Sequence, residues 1–163
     1  VGPVLEARDV MAVLRNEDDA PEDLRERALM LAGRILEFDP ALAGGRGYAR
    51  AIELLGSGAA LAAMERLIDA QGRCTTIAEL GEHRFDVCTP KSRKVLASLR
   101  VRVDAVEHFA GAPMDKGAGI DLMHKVGQEV RAGEVLYRIH AHSETGLAYA
   151  RELAASNSGY DIA

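Results

Sequence analysis

His140 and His142 stand two positions apart and are the residues of this 163-residue chain most suggestive of chemistry. On a strand, residues i and i+2 point to one face, so such a pair can fill two positions on a metal ion. A metal site needs a third ligand, and the nearest acid, Glu144, falls at a predicted helix start. Arg138 shares the face, and its cation opposes a divalent ion. Two solvated histidines on an outer face are the preferred reading. His124 falls on the face of Ile120 and Leu122 and reads as a partly buried, hydrogen-bonded structural histidine rather than a base. No Ser or Cys has a recognisable nucleophile setting, and no Asp–His pairing is suggested.

Lys116-Gly117-Ala118-Gly119 has the composition of a phosphate loop. A P-loop, however, places its lysine after the glycines and a helix next, so that backbone N–H groups point at the phosphates. Here a strand is predicted to follow, and the glycines read as backbone requirements of a tight connection. The stretch KVGQEVRAGEVLYRIHA, residues 125–141, resembles the cadence of biotinyl and lipoyl carrier domains. Those domains present a modified lysine at a hairpin tip. Lys116 is the only candidate, and it precedes a Gly-Ala-Gly connection instead, so this stretch reads as scaffold.

The elements that must position these residues fall into two parts. Val4, Ala7, Met11 and Leu14 follow helical spacing, and Asn16 to Asp19 break it. A second helix starts at Pro21 with Glu22 and Asp23 behind it and ends by Pro40. It carries one apolar face of Leu24, Ala28, Leu31 and Ile35 and a second of Leu29, Ala32 and Leu36, an arc too broad for one partner. Tyr48 to Leu55 predicts a short third helix. Ser57 is taken to cap a fourth, which stops at Gly72. The period then changes. Val95, Ala97, Leu99, Val101 and Val103 alternate with polar residues and predict one long strand, followed by a helix over 104–110. Strands are predicted at Ile120 to His124 and at Val135 to Ala141, with a turn at Gly127, and Ser143 is expected to cap a last helix. The tail SNSGYDIA is expected to be loose. The fold class is therefore α+β, with a helical part over 1–72 and an α+β part over 73–163.

The totals bound the function. Apolar residues make up 48% and charged residues 28%, and the net charge is −5, so neither nucleic acid nor an anionic membrane is an expected partner. No apolar run approaches the ~20 residues that span a bilayer. Cys74 and Cys88 fit no C-x-x-C or zinc spacing and read as buried thiols of a cytoplasmic protein. The chain starts at Val1 without a methionine and falls at once into a helical pattern, which reads as the tail of a longer polypeptide.

Four segments in this order then resemble one family: VGPVLEARDVMAVL, PEDLRERALMLAGRIL, SGAALAAMERLIDAQG and GAPMDKGAGIDLMHKVGQEVRAGEVLYRIHA. Together they are similar to the C-terminal part of thymidine and pyrimidine-nucleoside phosphorylases. The wording GAP-x-DKGAGI is most like the branch that includes archaeal AMP phosphorylases and bacterial putative thymidine phosphorylases. The resemblance implies that residues 1–72 are late helices of a central α/β domain, deprived of their sheet. It implies that residues 73–163 are the C-terminal domain with a barrel-sandwich-like β element. The implied reaction is phosphorolysis, with inorganic phosphate as co-substrate attacking the anomeric carbon of a nucleoside to give pentose 1-phosphate and free base. Its glycine-rich loop, histidine and Arg…Ser…Lys set precede the matched part, so no catalytic or cofactor-binding residue carries over. The one exception concerns a monovalent cation, held in the family partly by the later acid of a G-N-A-L-E-x-x-E-like segment. Asp9 occupies that position here and Glu6 the earlier one, with Pro3 in place of the Asn. The parent is expected to be a cytoplasmic homo-oligomer, a homodimer, and the present part alone to be inactive.

Overall fold

The computed structural model describes residues 1–76, 78–90, 92–98 and 100–162, with the side chains of 93, 100 and 101 outside the description. The chain divides into two compact units. One spans Ala7–Thr76; the other joins Val1–Glu6 to residues 77–163.

The helical unit contains most of α1 (Pro3–Leu14), then α2 (Glu22–Leu36), α3 (Arg46–Gly56) and α4 (Ala59–Gln71). Pro3 opens α1, where a missing N–H costs nothing. Asn16, in a left-handed conformation, closes it and donates its Nδ2 hydrogen bond to the Leu55 carbonyl at 3.0 Å. Helices α2 and α3 meet backbone to backbone through Gly33 and Gly47, where a Cβ on Gly33 would stand 2.8 Å from the Tyr48 backbone. Only one of the two predicted apolar faces of α2 is used. Leu29, Ala32 and Leu36 are partly buried around Gly33, whereas Leu31 and Ile35 are 59% and 65% exposed, with Met30 and Phe38 beside them at 56% and 86%. Ser57 does not cap α4: it ends α3, its hydroxyl donating to the Leu54 carbonyl, and Gly58 precedes α4.

The second unit contains two three-stranded sheets, all of whose pairings are antiparallel. In the first, β5 (Val135–Ala141) runs between β1 (His83–Cys88) and β3 (Gly119–Leu122). In the second, β2 (Arg93–Ser98) runs between β4 (Glu129–Val130) and β6 (Tyr160–Ile162). Helices α5 (Arg100–Ala110) and α6 (Glu144–Ser156) complete the unit. The fold class is α+β, as expected. Ile120, Tyr137, Ile139 and Val106 are fully buried at its core. Arg151 of α6 stacks its guanidinium 4.9 Å from the centre of the Phe85 ring on β1. Ser143 caps α6 as predicted, its hydroxyl accepting the Gly146 N–H at 3.3 Å.

Further expectations fail here. The long strand ends at Ser98, and the region predicted as its second half is helix from Arg100; Leu99 lies outside the described residues. Val103 belongs equally to the helical series Val103, Val106, Ala110, whose buried spacing is three and four, and that series wins. Strand β1 was not predicted at all. The tail is not loose over 160–162: Tyr160 and Ile162 pair with Ser98 and Val95, and the Tyr160 ring stacks on Tyr137 at 5.7 Å. Cys74 and Cys88 are free thiols as read, but both are exposed rather than buried. No described helix is long and apolar enough to cross a membrane.

Candidate functional site

The DKGAG loop leaves α5 at Gly111 and enters β3 at Gly119. The Asp115 N–H donates to the Gly111 carbonyl at 3.0 Å and the Ala118 N–H to the Asp115 carbonyl at 3.2 Å, so the loop is two successive turns. Asp115 is its anchor. One oxygen, Oδ1, takes the Gly117 N–H at 3.0 Å and the Nδ1 of His142 at 2.8 Å. Burial alone would push this carboxyl up; the bonds from His142 and Gly117 outweigh it and hold the group below the usual carboxylate value. The His142 ring packs so closely on Gly117 that a Cβ there would collide with it and with the Glu79 carbonyl. The glycine is therefore required by close approach, in line with its reading as a backbone need. Lys116 is exposed, and its carbonyl takes the Val4 N–H at 3.3 Å.

This Asp–His pairing contradicts the expectation that none exists. Asp115 and His142 are 27 residues apart, and no local pattern joins them. Nor are the two histidines of the H-x-H both solvated. His142 is half-exposed just past the end of β5, but His140 is 6% exposed in the middle sheet strand, facing Arg84 across β1 and Gly119 across β3. Arg138 lies on the same face and is held by both oxygens of Asp86, at 2.6 and 2.9 Å. That guanidinium holds the Asp86 carboxyl below its ordinary value. Beta-strand β3 stops two residues short of His124, whose Nε2 lies 3.7 Å from Glu134 and whose carbonyl takes the Tyr160 hydroxyl at 2.7 Å. The ring is partly buried, as expected, but lies past the strand rather than on its face, and the 2.7 Å bond is made by its backbone. Glu144 stands in the first turn of α6 as expected. Asp9 sits on α1 one turn beyond Glu6, its carboxylate 2.9 Å from the Arg8 guanidinium. Among the described residues no three His, Cys, Asp or Glu side chains are grouped to hold a metal ion. The chemistry available here is anchoring: carboxylate, imidazole and backbone tie the loop before β3 to the end of β5.

Removing the anchor has a defined pH signature. Asp115→Ala is expected to cost about 1.5–3 kcal/mol at neutral pH, the loss of charge-assisted hydrogen bonds. Because the folded carboxyl titrates below its unfolded value of about 3.9, this stabilisation is complete above that value and disappears as pH falls through the folded one. Urea denaturation of both proteins at neutral pH and at successively lower pH should show the gap closing; a constant gap would contradict the assignment.

The description "Pyrimidine nucleoside phosphorylase C-terminal domain" is that of a family matching residues 108–161, from the end of α5 through β6, a span that contains the Asp115–His142 anchor. Curated relatives align over almost the whole chain. A protein of Bradyrhizobium diazoefficiens is 51% identical over 99% of this chain and 32% of its own length. One of Nitrobacter hamburgensis is 52% identical over 97% and 30%, and one of Methylococcus capsulatus 48% identical over 99% and 31%. All three carry the name "Putative thymidine phosphorylase". Residues 108–161 thus match the C-terminal domain of pyrimidine nucleoside phosphorylases, and the chain spans about a third of the length of the relatives it matches.

Proposed function

We propose that the longer protein to which this chain corresponds is a nucleoside phosphorylase that converts thymidine and phosphate to 2-deoxyribose 1-phosphate and thymine, with the present part as scaffold. The observation that carries the reading is identity near one half, sustained over 99% of the chain, to relatives named for that activity. The DKGAG loop supports the scaffold role: its carboxylate, Asp115, is bound to His142 and to the Gly117 N–H. In this reading residues 1–72 are helices of a central domain, and the exposed face of α2 is the one its sheet would cover. Asp9 is a candidate ligand of a monovalent cation, its remaining ligands supplied by the longer chain, and its pairing with Arg8 would be exchanged on binding. The protein acts in the cytoplasm as a homodimer.

The second reading, phosphorolysis of AMP, rests on the GAP-x-DKGAGI wording. A carrier role fits less well, since Lys116 lies in a helix-to-strand connection rather than at a hairpin tip. Competing thymidine, uridine and AMP for the full-length protein separates the substrates: thymidine is expected to have the highest kcat/KM, and a higher value for AMP would replace the first reading with the second.

A further inference from the structure

His140 is a buried titratable group that the proposed scaffold does not use. It lies on the central strand β5, 6% exposed, and its Nδ1 is buried without a hydrogen-bond partner. A short strap, Glu79–Gly81, is wedged beside it. The Gly81 N–H donates to the Gly117 carbonyl at 2.9 Å. A Cβ on Gly81 would collide with the Ala141 backbone, and one on Gly117 with the Glu79 carbonyl. The strap thus packs between the DKGAG loop and the end of β5.

A neutral imidazole has one N–H donor and an imidazolium has two. The surroundings supply a backbone hydrogen bond with Gly81 for one nitrogen and nothing for Nδ1. A second proton would therefore leave an unpaired donor and a positive charge out of water, and each of these is costly. The neighbouring charges do not remove the problem. Arg84 faces the ring from β1, and Arg138 stands two residues away on β5; both oppose a cation there. Asp121 on β3 and Asp86 on β1 favour one, and Glu79 and Glu82 are the acids of the strap segment itself. Burial dominates and pushes the imidazole below its ordinary value, against the pull of Gly81 and Asp121.

We propose that His140 is an acid-sensitive latch, whose protonation releases the Glu79–Gly81 strap from the sheet. With the strap open, the ring is hydrated and titrates near its ordinary value of about 6.5. With the strap closed it titrates lower. The closed state is therefore fully stable above the ordinary value and weakens as pH falls from there to the folded one, then changes no further. Across that window the open fraction grows by up to about tenfold per pH unit, the limit for one linked proton.

The test is amide hydrogen exchange at Gly81 in the 163-residue chain, followed by NMR from mildly alkaline to mildly acidic pH and corrected for the intrinsic pH dependence of exchange. Protection of Gly81 is expected to fall severalfold or more per pH unit below the ordinary imidazole range, and to be independent of pH in His140→Leu. Constant protection in the unsubstituted chain, or the same fall in His140→Leu, would overturn the latch. Should His140→Leu not fold, the titration of the His140 ring in the unsubstituted chain decides. A midpoint below the ordinary imidazole value supports the latch, and one at or above it eliminates it.

Discussion

The 163-residue chain, supplied with thymidine and phosphate, is expected to release no thymine above a buffer control, whereas the full-length protein should turn over. Phosphorolysis needs an anion cradle and cationic side chains fixed around phosphate and the departing base, and preorganised electrostatics of that kind accounts for most of an enzyme's acceleration. Three of the described cations of the present part are engaged otherwise. Arg138 is bound to Asp86, Arg73 to Glu65 and Asp69, and Arg151 lies over Phe85. The loop with the most phosphate-like composition is closed on itself through Asp115. Chromatographic detection of free base, with enzyme and substrate in excess over the detection limit, reads the result. Base release by the purified 163-residue chain that depends on phosphate would show that the chemistry resides here and that the scaffold reading is wrong.

The second large effect concerns α2. Met30, Leu31, Ile35 and Phe38 expose most of their surface within nine positions of one helix and its end. Leaving a side chain of this size in water forgoes about 1.5–3 kcal/mol, and four of them together rival the whole stability of a small domain. An apolar patch of this kind drives association by mass action. The chain alone is therefore expected to self-associate as its concentration rises, and Ile35→Asp combined with Phe38→Ser to shift it back to monomer without loss of helix content. Sedimentation over a wide concentration range checks this, and hydrogen exchange on the same samples shows which helices are protected. A compact monomer at all concentrations, with slow exchange through α1 to α4, would mean that the helical unit is self-sufficient and not a severed part of a larger domain.

What was legible in the sequence follows from the range of the interactions involved. The helices of the first part declare themselves through 3.6-residue periodicity and local breakers, whereas of the broad apolar arc of α2 only the Leu29, Ala32 and Leu36 face is covered. The junction of β2 and α5 did not, because Val95 and Val103 satisfy a strand period while Val103, Val106 and Ala110 satisfy a helical one. Only the packing of Val106 and Ala110 into the core chooses between them. Strand β1 does alternate, Phe85 and Val87 inward against Arg84 and Asp86, but its charged residues find partners only across β5. The polar tail gave no local signal for β6. It is held by Tyr160, whose ring stacks on Tyr137 and whose hydroxyl reaches the His124 carbonyl. The Asp115–His142 anchor and the burial of His140 are likewise products of β5 running between two other strands. Periodicity sees one element at a time, so the residues that tie elements together were the ones it missed.

The most direct measurement is on the full-length protein with thymidine, in the presence and absence of inorganic phosphate, with free base and sugar phosphate both quantified. The account predicts that thymine and 2-deoxyribose 1-phosphate appear in equal amounts and only when phosphate is present. Absence of base release from thymidine, uridine and AMP alike, or release of thymine without phosphate, would contradict it.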